Sequence, residues 1–285
     1  MPGPSLRLAL IATALAAAAP AFAATPAFPN AARAGPPKFD EADPLAQAVA
    51  DPGRSDRNTA RDAWRHPAES LMFWGVRPGD TIVELSPGGG YWAEILVPFA
   101  KATGGRYVAA MAPAALSEEA RRERTGMESR FGIQAVDLGK TSGPLAAPGS
   151  VDFVLTARNV HNWIWGGMLD KVLADAFTAL RPGGVLAVEE HRADPRPMLK
   201  DASDGYVSEA AVIDAAEKAG FRLDAKSEIN ANPKDSKDHP FGVWTLPPVL
   251  QSAPRGSAPD PKFDKARYQA IGESDRMTLR FRKPG

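Results

Sequence analysis

Three short runs carry the residue types that do chemistry. The first is Thr81 to Trp92, TIVELSPGGGYW, where an apolar β-type segment passes through Glu84 into three successive glycines and then into helix-like sequence. Gly88, Gly89 and Gly90 allow positive φ and let backbone N–H groups approach a ligand with no Cβ between, which is how a nucleotide-cradling turn is built. The second run is Thr156 to Gly167, TARNVHNWIWGG, with Arg158, Asn159 and His161 following a strand-like segment. An imidazole titrates near neutrality, so His161 suits general-base work on a hydroxyl, and Arg158 and Asn159 suit a substrate carboxylate or carbonyl. The same run also reads as a loop packed down by Trp163 and Trp165, with His161 bonded to a backbone carbonyl. The third run is Glu189-Glu190-His191-Arg192. Side chains alternate along an extended segment, so of its metal-type ligands only Glu189 and His191 can face one point, and a pair without a third ligand makes a weak site. No metal is therefore expected, and His191 is read as orienting a substrate.

Several chemistries are disfavoured. The glycine spacing matches neither the G-x-G-x-x-G of dinucleotide folds nor the G-x-x-x-x-G-K-[ST] of P-loops, and no G-x-S-x-G or H-E-x-x-H is present. The chain has no cysteine, so thiol nucleophiles, thiolate ligands and disulfides are excluded. Lys plus Arg and Asp plus Glu number 34 each, so no broad attraction for nucleic acid or an anionic membrane is expected, and the partner is read as a small molecule.

These runs need a frame that sets them side by side. Strands are expected at Thr81–Leu85, Arg106–Ala110, Phe131–Val136, Val151–Thr156, Val185–Val188 and Phe221–Ile229. Between them lie helical patterns at Trp92–Ala102, Leu116–Arg130 with Ser117 as cap, Met168–Leu180, and Ser208–Ala219 with Ser208 as cap and Gly220 beyond its end. Strict alternation of apolar strands and helices implies an α/β, doubly wound parallel sheet covered on both faces. Each chemical run then leaves the carboxyl end of a strand, where such sheets bind ligands. Met277–Lys283 instead alternates apolar and polar residues, as a late antiparallel strand does. Asp152 falls at the opposite end of the sheet and is read as structural.

At the N-terminus, Arg7, the apolar Leu8–Ala19 and Ala21-Phe22-Ala23 read as a cleaved signal peptide over 1–23, so a periplasmic or secreted protein is expected, with no membrane association after cleavage. A flexible leader is expected over 24–42. Residues 43–285 then form one domain with a long insertion at about 231–276.

The run Glu84-Leu85-Ser86-Pro87-Gly88-Gly89-Gly90 resembles the E/D-x-G-x-G-x-G motif of class I methyltransferases, which use S-adenosylmethionine (SAM). The resemblance covers about Arg54 to Ile229 plus the final strand. It is strongest to predicted bacterial methyltransferases with signal peptides, through RDAWRHPAESL at Arg61–Leu71 and DRMTLRFRKP at Asp275–Pro284. It implies a seven-stranded Rossmann-like sheet in the order 3-2-1-4-5-7-6 with the last strand antiparallel. It also implies SAM as cofactor and transfer of a methyl group to oxygen or nitrogen of a small acceptor.

Residue by residue, the resemblance puts Glu84 under the methionyl amino group and the cofactor along Gly88 and Gly90. Ser86 replaces a glycine and is tolerable there with a negative φ. Asp137 matches an adenine contact, or is an ordinary turn former. Met111 stands where an acid would accept the ribose hydroxyls, the nearest acids being Glu118 and Glu119. Arg158, Asn159, His161 and His191 fall at the acceptor side, and Gly90→Val is expected to abolish SAM binding with little loss of stability. A different class of reading, an exported non-catalytic ligand-binding protein on the same fold, draws on the missing ribose acid and on the cytosolic origin of SAM.

Overall fold

A computed structural model describes residues 42–195 and 200–285. The signal peptide and all of the expected leader but Ala42 lie outside the described residues. Four short helices come first: α1 (Pro44–Val49), α2 (Asp56–Thr59), α3 (Asp62–Arg65) and α4 (Pro67–Trp74). Alternation follows, with β1 (Thr81–Leu85), α5 (Ala93–Thr103), β2 (Arg106–Met111), α6 (Glu118–Phe131), β3 (Val136–Asp137) and β4 (Val151–Ala157). Then come α7 (Val160–Gly166), α8 (Leu169–Ala179), β5 (Leu180–His191), α9 (Glu209–Lys218), β6 (Arg222–Ser227), α10 (Lys265–Ile271) and β7 (Arg276–Arg282).

The seven strands form one sheet in the order β3-β2-β1-β4-β5-β7-β6, as the resemblance implied. β7 runs antiparallel between β5 and β6, and the other neighbouring pairs are parallel. Period-2 alternation divides the core between the two faces. Ile82 and Phe153 pack with Leu71, Trp74, Ile95 and Phe99 on one face, while Val83 and Val154 pack with Val172, Leu173 and Val212 on the other. The two helix caps read from the sequence are made: Ser117 accepts from the Ala120 N–H at 3.0 Å and Ser208 from that of Ala211 at 3.2 Å.

Two elements differ from the sequence reading. Phe131–Val136 was expected to be extended, but α6 continues to Phe131 and ends on Gly132 at φ 64°, leaving β3 only Val136 and Asp137. The helix continues because Phe131, with Met127, has the space beside Gly90 to fill. Strand β5 is longer than Val185–Val188, because the antiparallel partner β7 pairs it from Val185 to His191. That pairing sets His191 opposite Arg276 and Glu189 opposite Thr278.

Asp152 is structural, as expected: its carboxylate accepts from the Thr81 N–H at 2.8 Å and from Arg181 at 2.5 Å. Among the described residues no helix is long and apolar enough to cross a membrane.

Candidate active site

A cavity of about 540 Å³ opens at the carboxyl ends of β1, β4 and β5. It brings together Glu84, Ser86 and Gly88 from the first chemical run, Arg158, Asn159 and His161 from the second, and His191 from the third. Trp244, Pro247 and Arg255, within residues 231–276, help enclose it, and Glu119 and Glu123 on α6 reach it from another side. Gly90 and Asp137 do not line it.

At the β1 end, Glu84 is buried and accepts a 2.7 Å hydrogen bond from the Tyr107 hydroxyl. Burial pushes its carboxyl up to about 7, against the Tyr107 bond and the Arg158 and Arg65 charges, which favour ionisation. The turn that follows has φ 52° at Ser86, 54° at Gly88 and 79° at Gly90. Ser86 thus takes the left-handed conformation rather than the negative φ that would have made it a simple replacement for glycine, and its N–H is fixed by the Ala110 carbonyl at 2.8 Å.

The glycines divide their work. A Cβ on Gly88 would meet nothing within 4 Å, so the turn is open there toward the cavity, whereas one on Gly90 would lie 3.2 Å from Phe131 and 3.4 Å from Met127. Gly90 is therefore constrained by packing and does not line the cavity, which corrects the expectation that Gly90→Val spares stability. Asp137, which the resemblance places at the adenine, is exposed, bonded to Arg124 at 2.6 Å, and does not line the cavity. A second, smaller cavity of about 390 Å³ begins at Ser86 and is lined by Ala112, Pro113, Leu138 and Trp163, so it is the residues flanking Asp137 that form a slot.

At the β4 and β5 ends, His161 sits at the start of α7. Its Nδ1 lies 3.0 Å from Glu190 Oε1, and Glu190 Oε2 accepts from the backbone N–H groups of Val160 at 2.5 Å and His161 at 3.3 Å. The Glu190 carboxylate thus caps a helix N-terminus and can accept from Nδ1–H of the imidazole; in the neutral tautomer of that kind the lone pair is on Nε2. His161 is bonded to a carboxylate rather than to a backbone carbonyl. His191 follows a similar plan: its Nδ1 lies 2.5 Å from Ser274 Oγ, and burial, with His161 and three arginines, pushes the imidazole well below its ordinary range. The two rings lie 5.3 Å apart between centroids.

His161, Glu190 and His191 bring metal-type ligand atoms within 4.8 Å of one another. Glu190 Oε1 also accepts the His191 N–H at 2.8 Å, so each of its oxygens already takes two donors and is not available to an ion. The cluster is a hydrogen-bonded network centred on Glu190. Asn159 departs from its expected role, because its amide nitrogen donates to the Leu85 carbonyl at 3.0 Å and to the Ser86 carbonyl and Thr156 Oγ1 at 3.3 Å. It ties the ends of β1 and β4 together.

Sequence reasoning missed a third group, in which Arg65, Arg276 and Glu273 gather with Glu189. Arg276 bonds Glu189 at 2.7 Å and Glu273 at 3.1 Å, while Arg61 and Arg65 reach Glu273 at 2.5 and 3.3 Å. Glu190 and Glu273 were hidden for one reason: each lies far in sequence from the groups it serves. The only signal was an unusual density of arginine in the leading RDAWR run.

Searches with known proteins add the fold. No protein-family profile matches the chain, and no curated protein matches it. Solved structures do: a Galdieria sulphuraria protein provisionally assigned as a sarcosine dimethylglycine methyltransferase is 14% identical, with a TM-score of 0.52 over 85% of this chain and 91% of its own. The [4+2]-cyclase SpnF is 17% identical, with a TM-score of 0.51 over 85% of this chain and 92% of its own. The fold is that of the class I methyltransferases. Because one of these two structures carries the name of a cyclase, the reaction has to be argued from the site.

Proposed function

We propose that the protein is a SAM-dependent methyltransferase acting on oxygen or nitrogen of a small acceptor. The observation that carries this is the buried Glu84 carboxylate, facing the cavity beside an open glycine turn, with His161 held on Glu190 in the same cavity. A carboxylate that burial holds near 7 and that only a tyrosine hydroxyl satisfies calls for a cation. The methionyl ammonium of SAM meets that need, and the residues present fit the cofactor.

The remaining parts have places too. The apolar slot between Ser86 and Trp163 suits an adenine, and Glu119 and Glu123, one helical turn apart, supply the ribose acceptors that Met111 cannot. SAM, when bound, supplies an electrophilic methyl group. The chain supplies alignment and proton removal: His161 Nε2 takes the acceptor's proton, Glu190 holds the ring's orientation and stabilises the imidazolium, and the indole of Trp244, with Pro247, helps keep water out. The support for export is the Arg7, Leu8–Ala19 and Ala21-Phe22-Ala23 succession, and N-terminal sequencing of the protein made in a bacterium checks for cleavage before Ala24.

The test is a calorimetric titration of the purified protein with SAM. Binding in the micromolar range is expected, and no heat at millimolar SAM contradicts the proposal and favours a ligand-binding protein for some other molecule.

A further inference from the structure

The arginines around the cavity are incompletely used. Arg65 is fully buried, lines the cavity and stacks its guanidinium 4.4 Å from the centre of the Tyr91 ring. Its Nε reaches Glu273, yet among the described residues neither Nη1 nor Nη2 has a hydrogen-bond partner. Arg158, the first residue beyond β4, also lines the cavity, at φ 60°, and its Nε is likewise buried without a partner. A buried guanidinium N–H left unbonded costs more than the net gain of an ordinary hydrogen bond; Glu189 Oε2 is likewise buried without a partner, but Arg65 and Arg158 stand at the cavity wall, where an acceptor from outside the chain can meet them.

Charge counting gives the acceptor's sign. Arg61, Arg65, Arg158 and Arg276 interact with one another through space, while Glu84, Glu189 and Glu273 are the carboxylates that oppose them. Four guanidiniums face three carboxylates, of which Glu84 is the one that burial holds near 7. Mutual repulsion, added to burial, lowers the Arg65 guanidinium to about 9, which an incoming anion would reverse. A guanidinium fork matches the paired oxygens of a carboxylate or phosphate. An amino-acid-type cofactor is zwitterionic: its ammonium is matched by Glu84 and its carboxylate requires one arginine. A second arginine is then left for the other ligand.

We infer that Arg158 forms an oxyanion subsite, with Arg65 beside it taking the cofactor's carboxylate, and that the methyl acceptor is a small molecule carrying a carboxylate or phosphate group. The inference rests on the methyltransferase reading for the word acceptor, but not for the anion. With its anionic group on Arg158, the acceptor lies in the cavity that His161 and His191 also line, so the subsite selects the substrate and positions its nucleophilic atom for His161.

The experiment uses inorganic phosphate and acetate as probes, titrated calorimetrically into the purified protein alone and after saturation with S-adenosylhomocysteine. The expected result is that at least one probe binds with S-adenosylhomocysteine in place. Arg158→Gln then weakens it about tenfold or more, Arg158→Lys recovers part of the loss, and affinity for S-adenosylhomocysteine stays within about threefold. If S-adenosylhomocysteine displaces both probes and Arg65→Gln and Arg158→Gln each weaken S-adenosylhomocysteine tenfold, the open donors serve the cofactor's own carboxylate and the acceptor assignment is overturned. Probe binding without any binding of S-adenosylhomocysteine upholds the anion subsite while removing the methyltransferase reading. Absence of probe binding to the unmodified protein at millimolar concentration overturns the inference whether or not the variants fold.

Discussion

The two edges of the central sheet handle charge in opposite ways. At the amino edge, Asp152 is partly exposed and fully used, bridging the Thr81 N–H and Arg181. At the carboxyl edge, Glu84 is buried on one hydroxyl, Arg65 has two open nitrogens, and Arg158 has one. Both edges belong to the same strands, so topology alone does not account for the contrast. The amino edge completes its bonds in folding, and the carboxyl edge leaves several of them open.

Substitutions can break or sharpen that contrast. The largest effect is expected for Glu84→Gln, which should weaken S-adenosylhomocysteine by about a hundredfold or more in calorimetry, since it removes the anion opposite the ammonium. Its effect on stability should run the other way. The Glu84 carboxyl sits near 7 when folded against an ordinary 4.5, so the folded state holds the proton more tightly, and this contribution to stability is lost as pH rises from about 4.5 to about 7. At pH 8 the variant should melt no lower than the parent. Glu273 has the opposite linkage: Arg65, Arg276 and Arg61 overcome its burial and hold it near 2, so its stabilisation is present above 4.5 and fades as pH falls toward 2.

Next in size, Glu190→Gln and His161→Gln should each lower the methyl-transfer rate about a hundredfold, measured with labelled SAM and an anionic acceptor, while S-adenosylhomocysteine affinity is unchanged. A fall in cofactor affinity instead would mean the His161–Glu190 pair shapes the donor end. Proton uptake offers a subtler probe. Binding an ammonium to Glu84 should release up to about one proton near pH 6 and take one up near pH 9, where the free α-amine is largely neutral, read from calorimetry in buffers of different ionisation enthalpy.

Smaller still, Gly90→Ala should cost about 1–2 kcal/mol of stability through its positive φ and its contact with Phe131. The smallest change is expected at the amino edge, where Asp152→Asn should cost no more than about 1 kcal/mol and leave ligand binding untouched.

The sheet was legible because its signals are local: β-branched strands, serine caps and terminal glycines each report on a few neighbouring residues. Glu84, Gly88, His161 and His191 were legible as cavity residues for the same reason, each standing at or just past the carboxyl end of an apolar strand. The rest depended on contacts across long separations. Asn159 looks like a substrate ligand until Leu85 and Ser86 are seen beside it. Glu190 looks redundant next to Glu189 until α7 places its N-terminus on that carboxylate. Asp137 looks like a ligand contact until α6 delivers Arg124 to it, and Phe131 is misread because the space it fills lies beside a glycine over forty residues earlier.

A crystal structure of the protein with S-adenosylhomocysteine tests the central claim most directly. The account predicts the methionyl ammonium in hydrogen-bond contact with Glu84, the ribose within reach of Glu119 or Glu123, and the thioether sulfur facing the space beside His161 Nε2. A ligand bound elsewhere, or one in this cavity with Glu84 contacting only Tyr107, would contradict it.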